Sequence, residues 1–161
     1  MNYGKVSPLL VESICLIQQL GESMNARIKW IEDVMFVAES GTGHALVLDG
    51  APSGGGRNMG MRPMELMALS VGSCSSYDVV TILKKARQDV ISCEAEVTAE
   101  RVDAVPAVFE SIHLHFKIAG NNLSEKQVER AIELSADKYC SASIMMKNAG
   151  VKVTHDFELL E

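Results

Sequence analysis

"PMELMALSVGSCSSYDVVTILKKARQ", residues 63–88, decides the fold. Pro63 stands where a missing N–H is tolerated, Glu65 puts negative charge in the first turn, and Lys84, Lys85 and Arg87 put positive charge in the last. The stretch therefore reads as one long helix whose charges suit both ends of its dipole. In its middle, Gly72, Ser73, Cys74, Ser75 and Ser76 occupy positions where a buried helix ordinarily carries leucines. Small residues let a second helix approach closely. A second cysteine has a comparable setting, Cys140 in "KYCSASIMM".

Outward from this helix, β-favouring segments are predicted at about 26–31, 34–39 and 44–49 before it, and at about 90–102 and 107–119 after it, the last two joined near Pro106. Ser124 with Gln127 reads as a capping box ahead of "EKQVERAIELSADKYCSASIMMKNAG", a second long helix stopped by Gly150. A final strand is predicted at about 151–158. Short strand spacings suggest antiparallel hairpins, and without regular βαβ alternation the class is α+β with antiparallel sheet. "GAPSGGGRNMG", residues 50–60, reads as a flexible loop, and no GK[ST] follows it to hold a phosphate. Ser7 and Pro8, with Leu10, Ile14 and Ile17 at helical spacing, predict a short amphipathic helix over 7–20 as an appendage.

The 161 residues suffice for one domain with its own core, and 47% hydrophobic and 22% charged residues describe an ordinary globular chain. A net charge of −6 argues against general nucleic-acid binding and against docking on anionic membranes. The opening segment makes a poor signal peptide, with one Lys and with Glu12 inside its apolar part, and no uninterrupted apolar run approaches membrane-spanning length. A cytoplasmic location follows as the expectation, where thiols are mostly reduced unless catalytic.

Cys15, Cys74, Cys93 and Cys140 are far apart, with no CxxC and no paired ligand spacing. Cys15 and Cys93 read as structural. For the other two, helix axes about 8–10 Å apart, less two Cα radii of about 2.3 Å, leave facing Cα atoms roughly 3.5–5.5 Å apart, against about 4.4–6.8 Å for a disulfide. On the residues alone two readings stand: structural thiols at a small-residue helix crossing, or a redox pair. Asp78, one turn after Cys74, would raise rather than lower its pKa if it faced the same space. His113 and His115, two apart on a strand, or Cys74 and Cys140 with a histidine, are candidate metal ligands, but alternating polar residues on a half-exposed strand explain the histidine pair and no metal is assigned. His44 and His155 read as surface residues, and "GSCSSYD" is not a GxSxG elbow.

Taken whole, the β-rich start "NARIKW", the 63–88 helix with its proline-to-cysteine spacing, "IHLHFKIAG" and "ELSADKYCSASIMM" carry a resemblance over about residues 24–160. The chain resembles the OsmC and organic-hydroperoxide-resistance superfamily, in its YhfA-like branch. The resemblance implies an extension at 1–23 and an OsmC-like domain at 24–161, in an intertwined homodimer with antiparallel sheets wrapped around two long central helices. It implies that Cys74 is the peroxidatic cysteine and Cys140 the resolving one, in a thiol-dependent peroxidase that reduces organic hydroperoxides with an external dithiol and needs no cofactor. The alternative is a non-peroxidase member that binds a small apolar or thiol-reactive molecule. Met64, Met67, Met145 and Met146 suit an organic hydroperoxide, though methionine also fills cores.

One departure stands out. The family's peroxidases carry an arginine in the strand before the long helix to assist the thiolate, and the matching "HALVLDG" has none. A thiolate needs a nearby cation or a helix N-terminus, and Cys74 lies too deep for the dipole of its own helix. Glu65 and Arg62 are the supporting candidates, but Arg62 lies about 18 Å away along a helix, so only loop folding or the partner chain brings Arg27, Arg57 or Arg62 to Cys74.

Overall fold

In the computed structural model, which describes residues 23–160, the chain divides into two units at the Met61/Arg62 boundary. The helix predicted over 7–20 lies outside the described residues. In the first unit β1 (Ala26–Glu32), β2 (Met35–Ser40) and β3 (Ala45–Leu48) form the expected antiparallel hairpins, in the order β1-β2-β3.

The glycine-rich segment after β3 is not the loose loop its composition predicts. Asp49, only 2% exposed, accepts backbone N–H bonds from Gly50 at 2.7 Å, Arg57 at 3.0 Å and Met59 at 3.0 Å. Gly56 and Gly60 allow the closure: a Cβ would lie 2.1 Å from the Gly50 carbonyl oxygen in the first case and 2.4 Å from that of Val47 in the second. The bond from Met59, with those from Gly50 and Arg57, holds the Asp49 carboxyl below its ordinary value against the opposing effect of burial. A depressed carboxylate contributes stability that is present above its unfolded pKa and lost as pH falls through its folded one. Asp49→Asn is therefore expected to lower Tm by several degrees at neutral pH. In a melting series the gap to the native protein should narrow as pH falls below about 3.9.

The second unit begins with α1 (Pro63–Lys85), followed by β4 (Asp89–Arg101), β5 (Phe109–Asn121), α2 (Glu125–Leu134), a π-helical turn (Ser135–Tyr139), α3 (Ser141–Asn148) and β6 (Lys152–Leu160). The sheet runs β4-β5-β6. Along β5 the alternation is plain: Ile112, Leu114, Phe116 and Ile118 are buried, while His113, His115 and Lys117 face the other way. Val71, Val79 and Leu83 of α1 and Val128, Ala131 and Ile132 of α2 complete the core, each element burying positions at helical spacing. At Gly72 a Cβ would meet Val97 Cγ2 at 2.6 Å, so the missing side chain lets α1 lie close on β4.

Two details depart from the sequence reading. First, β6 pairs with β5 in parallel, because the helices between them return the chain across the sheet as a crossover. The class is α+β as expected, but this pair is not antiparallel. Second, the Ser124–Gln127 capping box does not form: the Ser124 side chain makes no cap bond, and its backbone N–H donates to Gln88 Oε1 at 2.8 Å. α1 is long and apolar enough to cross a membrane by length and composition alone, although its 18-residue window of mean hydropathy 1.4 is interrupted by serines, Gly72 and Asp78, so no uninterrupted apolar run spans it. Val71, Val79 and Leu83 are fully buried in the second unit's core, while 28% of that window is buried in all and Met67, Leu69 and Tyr77 are exposed.

Candidate functional site

The second long helix predicted from the sequence is broken. After α2 the backbone passes through the π-helical turn, and Cys140, at φ −70° and ψ 97°, leaves helical geometry to become the N-cap of α3. Its Sγ accepts the Ser143 backbone N–H at 3.4 Å. Lys147 closes the same corner by donating to the Ala136 carbonyl at 3.1 Å and to Asp137 at 2.8 Å. The break places the start of a helix at the crossing with α1, where an unbroken one would present only its side.

Cys74 faces that helix start, where the Ala142 backbone N–H favours its thiolate. Cys74 Sγ, Cys140 Sγ and a carboxylate oxygen of Asp78 all lie within 4.8 Å of one another. Both cysteines are free thiols, Cys74 half-buried and Cys140 fully buried. The serines that look out of place in a core helix have assigned partners. Ser75, 2% exposed, donates its hydroxyl to Cys140 Sγ at 3.2 Å and lies 3.2 Å from Ser143 Oγ. Ser135 donates to the Ser75 carbonyl at 3.3 Å. Ser76 donates to the Gly72 carbonyl at 2.9 Å, the turn-back bond by which a helical serine satisfies itself.

The electrostatics run against an acidic thiol. Burial pushes the Cys74 pKa up to about 11, with Cys140 and Asp78 acting the same way and the Ala142 N–H against them. The upward influence of Asp78 is the one its place one turn along α1 implies. Asp78 is itself raised by burial, which outweighs Ser135 and Lys85, and its Oδ2 is buried without a hydrogen-bond partner. Among the candidate supporting residues, Arg62 folds onto Glu65 at the start of α1, with Nη1 3.0 Å from Oε1 while Glu65 Oε2 accepts the Arg62 N–H at 2.9 Å. Within the first unit Arg27 pairs with Glu39 at 2.5 Å and Arg57 pairs with Glu32. In buffer containing chelator, alkylation of Cys74 followed by peptide mass spectrometry should accelerate about tenfold per pH unit from neutrality to about pH 10. A plateau at or below about pH 9 would show that a cation reaches this thiol after all.

The other sequence candidates lie elsewhere. His113 and His115 face solvent on β5, where His115 Nδ1 lies 2.5 Å from Asp156 and His113 Nδ1 lies 2.8 Å from Thr154 Oγ1 across the parallel pairing with β6. Asp156 raises the His115 pKa. Met64 and Met146 pack on the core, whereas Met67 and Met145 are exposed. A surface concavity of about 420 Å³ runs along α2 past Glu129, Arg130 and Glu133, and neither cysteine lines it. What the sequence reading missed is the break at Cys140 and the donors it supplies; the run of Ser135, Ser141 and Ser143 around that cysteine was the available signal.

Comparison with known proteins places these features in a family. The model for OsmC-like protein matches residues 54–156, a span that includes both cysteines. Protein YhfA of Escherichia coli K12 is 43% identical over 142 residues, covering 85% of this chain and 98% of that protein. The crystal structure of a hypothetical protein from Aquifex aeolicus VF5 superposes with a TM-score of 0.73 at 29% identity, covering 88% of this chain and 100% of that one. At 15% identity, an organic hydroperoxide resistance protein OsmC from Legionella pneumophila shares the fold with a TM-score of 0.66, over 85% of this chain and 97% of its own. The chain thus belongs to the OsmC-like superfamily, in the branch of protein YhfA.

Proposed function

We propose that the chain is a thiol-dependent peroxidase that reduces organic hydroperoxides through Cys74 and Cys140. The observation that carries this reading is the placement of the two sulfurs within 4.8 Å of each other at the start of α3, one half-buried and one fully buried. The accessible sulfur suits first attack. The Cys74 thiolate attacks the terminal oxygen of ROOH, the O–O bond breaks, and the departing alkoxide takes a proton to leave as ROH. Cys74 is then a sulfenic acid. The Cys140 thiolate attacks its sulfur, hydroxide leaves and is protonated to water, and the resulting disulfide is reopened by an external dithiol. Membership of a superfamily that includes organic hydroperoxide resistance proteins supports the substrate class. Treating the reduced protein with an organic hydroperoxide should yield a Cys74–Cys140 linked peptide by mass spectrometry, and its absence would sink the reading.

The raised Cys74 pKa favours a second reading, in which the same thiols bind a small apolar or thiol-reactive molecule without turnover. Under the peroxidase reading it sets a slow reaction that quickens with pH.

The active form is read as a homodimer. In the second unit Met67, Leu69 and Tyr77 of α1 and Met145 of α3 are exposed, and in the first unit so are Ile28, Trp30 and Ile31 of β1. Exposed apolar side chains of this kind are what a second copy covers. Sedimentation at micromolar concentration should give the dimer mass; a folded monomer would contradict it.

A further inference from the structure

We propose that Cys74, Asp78 and Cys140 form a binding site for a zinc-class divalent cation, with a fourth coordination position open to water or a ligand. The donor geometry comes first. The three donor atoms lie within 4.8 Å of one another. Zinc–sulfur bonds of about 2.3 Å in a tetrahedron require edges of roughly 3.8 Å, so closing on an ion needs shifts of about 1 Å or less. Two thiolates and one carboxylate select zinc over calcium or magnesium, which take oxygen ligands.

The second observation is the orphaned acceptor. Asp78 Oδ2 is buried with no hydrogen-bond partner, the only such side-chain atom among the described residues. A buried carboxylate oxygen without a donor is costly, and a metal ion is one of the few partners that would satisfy it in this position.

Third, the surroundings supply what metal sites use outside the ligands themselves. Ser75 Oγ and the Ser143 N–H both donate to Cys140 Sγ, fixing its direction, and the Ala142 N–H favours the ionised form of Cys74. All three donors are neutral, and within this unit Arg62 is committed to Glu65. A dication would supply the positive charge that two ionised thiols and a carboxylate lack. The half-buried position of Cys74 leaves the fourth ligand direction open.

This inference does not rest on peroxidase activity, and its test reads metal binding alone. The full-length chain, reduced and stripped with chelator, is titrated with Zn²⁺ against a chromogenic chelator, and Co²⁺ is substituted in parallel. The native protein should bind roughly one ion per chain, with thiolate-to-cobalt charge-transfer bands and the intense visible bands of tetrahedral cobalt. Asp78→Asn, Cys74→Ser and Cys140→Ser should each weaken Zn²⁺ binding at least about tenfold, since loss of even an outer-shell partner costs about 10–100-fold. Cys93→Ser should bind as the native protein does. Failure of the native chain to compete for Zn²⁺ would overturn the proposal without any variant having to fold. So would an Asp78→Asn protein with native affinity and an unchanged cobalt spectrum. Hydroperoxide consumption can fail while zinc binding holds, or the reverse, so the two readings stand or fall separately.

Discussion

Cys74→Ser is expected to reduce consumption of an organic hydroperoxide to the level of buffer, because a serine hydroxyl does not ionise near neutrality and cannot replace a thiolate. Folding is not at issue, since Cys74 is half-buried in a helix that already carries Ser73, Ser75 and Ser76. Cys140→Ser should behave differently. Serine is a favoured N-cap residue and can still accept the Ser143 N–H, so the start of α3 should survive. That variant should react once and stop as a Cys74 sulfenic acid, detected by a sulfenic-specific reagent or as further oxidised forms. Equal activity in the two variants would remove the division of labour between the sulfurs. Because no arginine acts on the Cys74 thiol within its unit and its pKa lies near 11, native turnover at neutral pH should be slow.

Phe116→Ala should have the largest effect on stability. Phe116 is the largest fully buried side chain among the described residues, at 1% exposure on the central strand of the second unit's sheet. Truncating a buried phenylalanine costs about 3–5 kcal/mol, a large share of a total that is typically about 5–15 kcal/mol. Urea unfolding should show the midpoint falling with little change in slope. A loss under about 1 kcal/mol would mean that the core closes over the gap far better than such cores usually do.

Much of this was legible in the residues. Pro63, Glu65 and the Lys84–Lys85 pair mark α1 at both ends, and the alternation of "IHLHFKIAG" marks β5 and its buried face. Strand direction was not legible, because a period of two is the same for a parallel and an antiparallel neighbour; only the crossover through α2 and α3 decides it. The break at Cys140 left no glycine or proline as a marker. It is a tertiary outcome, in which Ser135, Ser75 and Ser143 exchange bonds across the crossing and the π-helical turn absorbs the change of direction. The order in the glycine-rich segment was hidden for another reason: one buried carboxylate collects three N–H groups from residues spread along it, which no local composition records.

The parallel pairing of β6 also bears on the order of assembly. β4 and β5 meet across the short connection 102–108, a closure with a small entropic cost that can occur early. β6 cannot find β5 until residues 122–151 have traversed the sheet, so its docking is the long-range and slow step of the second unit. α3 lies in that traversing segment and packs against β6. The start of α3, already tied to α1 through Ser75, Cys140 and Ser143, gains its packing on β6 in that same step. The two sulfurs come from α1 and from that traversing segment, so their meeting depends on the same long-range closure and not on local contacts.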